Sequence, residues 1–162
     1  YYNIIIQLLY NYIFICYDYD GNKILPVAIK NRDTESIIAA WKNCHARLIN
    51  HGHEITHYIL DNECSRQFRE TLDAAGITYE LVPSHQHRRN AAERAIRTFK
   101  NHFLAGLATC DPDFPIREYD RLNQQAELTL KLLRNSRVNP NLSSWAYLFG
   151  NFSFNKCPFD CY

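Results

Sequence analysis

Two acidic positions in this chain stand where phosphodiester chemistry can be carried. In Ile59-Leu60-Asp61-Asn62-Glu63, the carboxylate of Asp61 closes an apolar run, and the carboxyl end of a central strand is where α/β sheets expose residues to ligands. With 31 residues between them, Asp61 is followed by Glu93, in the first turn of an amphipathic helical segment. Arg97 and Lys100 lie at i+4 and i+7 from Glu93, so one helix face presents a carboxylate and then two cations. Paired carboxylates give Mg²⁺ or Mn²⁺ its hard oxygen ligands, and aligned Arg and Lys hold phosphates. Simpler roles compete. Asp61 and Asn62 can make a turn or cap the next helix; Asn90 and Glu93 have the spacing of a capping box; Glu93 and Arg97 can form an i,i+4 ion pair.

Charge favours the phosphate reading once it is taken locally. The net formal charge is +1, which by itself offers no bulk basicity for nucleic acid. Residues 1–84 carry −3, residues 103–162 carry 0, and residues 85–102 carry +4, from Arg88, Arg89, Arg94, Arg97 and Lys100 against Glu93 alone. The chain is neutral around one basic segment.

Other polar clusters offer less. Asp18 and Asp20 read as the solvated end of a hairpin. His45, His51, His53 and His57 straddle a helix end and a loop with no cysteine pair to complete a zinc set. His85 and His87 can touch phosphate or orient the loop before Glu93. The six cysteines lack a CxxC pair and read as reduced thiols of an intracellular protein. The most apolar stretch, residues 4–17, is too short and too polar to span a bilayer, and no membrane role is expected.

The elements that must position these residues follow from periodicity. At 162 residues with 46% hydrophobic content the chain is one globular domain. Two Ile- and Tyr-rich runs, Ile4–Tyr10 and Tyr12–Tyr17, and a third, Lys23–Ile29 after Asp20-Gly21-Asn22, predict an antiparallel three-stranded start. A helix begins at Asp33-Thr34, with Ile37, Ile38, Trp41, Cys44 and Leu48 inward. Strand Ile55–Leu60 follows, then a helix from Ser65 with Phe68, Leu72 and Ala75 inward, then strand Ile77–Val82. This alternation predicts parallel strands joined by crossovers. Long helices are expected over about 90–109 (Ala92, Ile96, Phe99, Phe103 and Leu107 inward) and about 116–136 (Tyr119, Leu122, Ala126, Leu130 and Leu133 inward). A short one follows Ser143. The predicted class is α/β, a mixed sheet flanked by helices in the order of ribonuclease H-like folds.

In this setting the residues resemble the catalytic core of retroviral and long-terminal-repeat retrotransposon integrases. Ile59-Leu60-Asp61-Asn62 is similar to that family's second-aspartate strand, and Pro83-Ser84-His85 through Asn90-Ala91-Ala92-Glu93-Arg94 to the segment leading to its catalytic glutamate. Its DNA-contacting basic positions fall on Arg97 and Lys100. The resemblance implies metal-dependent 3′-end processing and strand transfer. Asp61 and Glu93 would be the catalytic metal ligands, Mg²⁺ or Mn²⁺ the cofactor, and Arg88, Arg89, Arg94, Arg97 and Lys100 the nucleic-acid contacts. It further implies DNA and a homo-oligomer as partners, and a nuclear location.

The chain departs from the family in three places. Glu63 stands where glycine is usual, the Asp61–Glu93 interval is a few residues short, and the opening strand has no aspartate. Asn3 or Gln7 is the nearest equivalent by position. With no Met in the chain, the expectation is a core over residues 1–158, cut from a retrotransposon polyprotein and N-terminally truncated or degenerate, with a tail over 159–162. A remnant that keeps the fold and weak nucleic-acid binding without catalysis is the alternative.

Overall fold

A computed structural model describes the backbone of residues 2–8, 11–61, 64–82, 91–115 and 118–155, and their side chains except at 2–8, 11, 61, 119 and 120. Five strands, β1 (Tyr2–Leu8), β2 (Asn11–Asp18), β3 (Lys23–Ile29), β4 (His57–Asp61) and β5 (Thr78–Val82), form one sheet in the order β3-β2-β1-β4-β5. β2 pairs antiparallel with β1 and β3, while β4 pairs parallel with β1 and β5. The described helices are α1 (Thr34–Ile49), α2 (Arg66–Ala74), α3 (Ala91–Ala108), α4 (Tyr119–Leu133) and α5 (Ser144–Phe149).

The sheet is covered on both faces. Phe14, Cys16 and Leu25 pack with Trp41, Cys44 and Leu48 of α1, Tyr58 and Leu60 of β4, and Phe68 and Leu72 of α2. On the other face Ile13, Ile15, Tyr17 and Ile24 pack with Ala95, Phe99 and Phe103 of α3 and Ala126 and Leu130 of α4. Burial from both sides explains why β2 reads as a nearly continuous apolar run instead of an alternating one.

Helix starts are set by side chains that accept orphan backbone N–H groups. Asp33 accepts from Ser36 N at 2.7 Å, Ser65 from Phe68 N at 3.3 Å, and Ser143 from Ala146 N at 3.0 Å. Two residues expected inward are not. Ala75 is the exposed C-cap of α2, and Leu133 is 72% exposed. The buried face of α4 instead runs through Asn123, Ala126, Glu127, Leu130 and Lys131, the i, i+3, i+4, i+7, i+8 stripe of an amphipathic helix. Its charged members are admitted because Glu127 pairs with Lys131 at 2.5 Å and with Arg47 of α1.

The β2–β3 turn is held from far along the chain. Asn22 has φ 56°, in the left-handed region that Asn tolerates, and its Oδ1 accepts from Tyr17 Oη at 2.8 Å. Arg134 Nε and Ser144 Oγ donate to Asn22 O, both at 3.2 Å, and Arg137 N donates to Asp20 O at 2.9 Å.

Candidate metal and nucleic-acid site

β4 lies between β1 and β5, so Asp61 ends an interior strand. It is paired with Val82, the last residue of β5. The Asp61 side chain, Asn62 and Glu63 lie outside the described residues, as do residues 83–90 with His85, His87, Arg88, Arg89 and the expected cap Asn90. Cys157, Cys161 and the 159–162 tail lie outside them too.

α3 packs against β1 and β2. Ala91, Ala92, Ala95, Phe99 and Phe103 are its buried face, and small residues at its start let the first turn approach the sheet closely. Glu93 sits in that turn, half-buried, where the helix dipole favours a carboxylate. Arg94, Arg97 and Lys100 are exposed. Among the described residues no ion pair engages these three cations, and the i,i+4 pair of Glu93 with Arg97 does not form.

Strand register locates the β1 positions nearest the family's first aspartate. Asn3 is in register with Cys16 on one side and Leu60 on the other, and both belong to the core beneath α1. Gln7 is in register with Tyr12, which packs against that same core. Neither shares a level with Asp61. Ile4, the next residue of β1, pairs with Ile15 of the core beneath α3.

Among the described residues no group of three or more His, Cys, Asp and Glu side chains could hold a metal ion. The four clustered histidines are each engaged elsewhere: His45 Nδ1 with Tyr58 Oη at 3.0 Å, His51 Nδ1 with Arg47 O at 2.5 Å, His53 Nε2 with Lys23 Nζ at 2.7 Å, and His57 Nδ1 with Thr78 Oγ1 at 2.9 Å. Burial pulls the His45 imidazole below its ordinary pKa. The four described cysteines are free thiols, and no described helix is long and apolar enough to cross a membrane.

The reading of Asp18 as a solvated hairpin end is overturned. Asp18 is 1% exposed and Lys23, its cross-strand partner, 0%; their side chains meet at 2.8 Å. Burial pulls the Lys23 ammonium below its ordinary pKa against the opposing pull of Asp18. The second strand delivers Asp18 to the α1 face, in phase with Phe14 and Cys16. That phase was readable; the lysine opposite and the histidine beyond it were the missed signal. Asp20 is exposed.

No protein-family profile and no curated protein matches the chain. Solved structures do. A chain of the simian T-cell lymphotropic virus intasome, in complex with the PP2A regulatory subunit B56 gamma, aligns with a TM-score of 0.74 at 16% identity, over 90% of this chain and 52% of that one. The chain thus spans about half of that protein's length. The HTLV-2 integrase catalytic core, solved with magnesium in a trimeric form, aligns at 0.69 and 18% identity over 91% of this chain and 93% of that one. The catalytic core of BIV integrase aligns at 0.68 and 14% identity, over 91% of each chain.

Proposed function

We propose that this chain, which has the ribonuclease H-like fold of retroviral integrase catalytic cores, acts on DNA ends as a metal-dependent polynucleotidyl transferase of a retrotransposon polyprotein. The observation that carries this reading is the face of α3: Glu93 in the first turn, then Arg97 and Lys100 exposed and without ion pairs among the described residues. Asp61 and Glu93 would hold Mg²⁺ or Mn²⁺. The donor set fits, because both groups are hard oxygen donors and Mg²⁺ completes its shell with water and substrate phosphate. When bound, such an ion activates the attacking oxygen and stabilises the leaving one.

The chain's own residues position the DNA. Arg97 and Lys100 neutralise backbone phosphates along the helix, and Arg94 extends the basic surface, with Arg88 and Arg89 preceding it in sequence. Like the HTLV-2 core, solved in trimeric and dimeric forms, the chain would work as a homo-oligomer. A chromosomal substrate would place it in the nucleus.

A second reading, DNA binding without catalysis, is favoured by β1, whose sequence Tyr2–Leu8 contains no carboxylate. Assays of 3′-processing and strand transfer with Mg²⁺ or Mn²⁺ separate the two. Activity abolished by Asp61→Asn and by Glu93→Gln supports the transferase. Inactivity of the chain, with activity gained on Asn3→Asp or on Ile4→Asp, supports the binder. Activity indifferent to Glu93→Gln overturns the site.

A further inference from the structure

At the end of the sheet away from Asp61, a polar cluster built on a buried ion pair joins four parts of the fold. Asp18 closes β2, Lys23 opens β3, His53 lies in the loop after α1, and Tyr147 belongs to α5. Asp18 Oδ2 accepts from Lys23 Nζ at 2.8 Å and from Gly21 N at 3.1 Å. Lys23 Nζ lies 2.7 Å from His53 Nε2 and 5.9 Å from the centre of the Tyr147 ring. The His53 and Tyr147 rings are 6.1 Å apart.

An ammonium has donors only. With Lys23 charged against Asp18, the short contact to His53 requires a lone pair on Nε2, and therefore a neutral imidazole with its proton on Nδ1. We propose that Asp18, Lys23 and His53 form a pH-sensitive clasp, in which protonation of His53 sets two cations against each other and loosens the β2–β3 turn from the loop after α1 and from α5. The groups around His53 are Lys23 from β3, Asp18 from β2, Asp20 from the turn, His51 from its own loop and Tyr147 from α5; Lys131 of α4 acts on Lys23. Burial and then Lys23 hold the His53 imidazole below its ordinary pKa, against the smaller opposing pulls of Asp18 and Asp20. The unfolded chain therefore takes up a proton, from about pH 6.5 downward, that the folded one refuses. The clasp contributes fully above that pH, and its contribution is lost as pH falls toward the lowered value.

Ring ¹⁵N NMR of the intact chain reads the clasp without any substitution. The expected result is a His53 ring protonated on Nδ1 at pH 7.5 and titrating below an ordinary histidine. A ring protonated on Nε2, or titrating at or above the ordinary value, overturns the proposal. Hydrogen exchange, corrected for intrinsic rates, reads the opening. From pH 7 to 5.5 the opening constant of the Gly21 and Asn22 amides should rise by up to about tenfold per unit, the limit for one proton. His53→Gln keeps an acceptor for Lys23 and cannot titrate, so it should remove that rise. The same rise in His53→Gln overturns the proposal.

Discussion

Glu93, Arg97 and Lys100 occupy one face of α3, and each should be separable by what it does to DNA. On the proposed function Arg97→Ala and Lys100→Ala would each remove one phosphate contact, so each should lower the steepness of log K against log salt by about 0.9. Lys42→Ala, an exposed cation on α1, should leave the slope unchanged. Fluorescence anisotropy across a salt series checks both. Glu93→Gln should retain DNA binding while losing any 3′-processing. Their shared face was legible because helical spacing is local: four- and seven-residue intervals fix a face whatever the rest of the chain does. The levels of Asn3 and Asp61 were not legible, because Asn3 is set opposite Leu60 by the register of two strands more than fifty residues apart, which no local pattern encodes. The Asp18–Lys23 pair was hidden for a related reason. A carboxylate beside a turn ordinarily faces water, and its burial is decided by the turn's docking partners far downstream.

At the scale of the element, most of the fold could be read directly. Asp33, Ser65 and Ser143 announce their helices, and each accepts the expected backbone hydrogen bond. α4 resisted because its buried stripe includes Glu127 and Lys131, which hydropathy assigns to solvent and ion pairing with α1 draws inward. The hairpin turn has its own vulnerability. A Cβ at Gly21 would lie 2.9 Å from Lys23 Nζ and closer still to Asp18 Oδ2 and Lys23 Cε, and neither buried side chain has room to give. Gly21→Ala should therefore destabilise by about 1–3 kcal/mol in urea denaturation. Asp18→Asn, which leaves the buried ammonium uncompensated, should cost about 3–5 kcal/mol, whereas Asp18→Leu with Lys23→Met should be nearly neutral. A double variant as damaging as the single one would show that the pair itself, and not its unbalanced charge, holds the hairpin.

Across the whole molecule, α1 and α4 cover opposite faces of the sheet and meet beyond the β3 edge, where Arg47 pairs with Glu127 and Glu127 with Lys131. Glu127→Ala leaves two cations facing one another and should destabilise by about 3 kcal/mol or more, read as a lower denaturation midpoint; Lys131→Met in the same background should recover part of it. The α4–α5 connection works at the same scale. Its hydrogen bonds to the β2–β3 turn join residues 112 to 122 positions apart. Closing so long a loop carries entropy that must be spent before the contacts repay it. During synthesis the β2–β3 hairpin is therefore complete in sequence but unsecured until Ser144 has left the ribosome, and a chain arrested before that residue should expose Tyr17 and Asn22 to protease while the finished chain protects them.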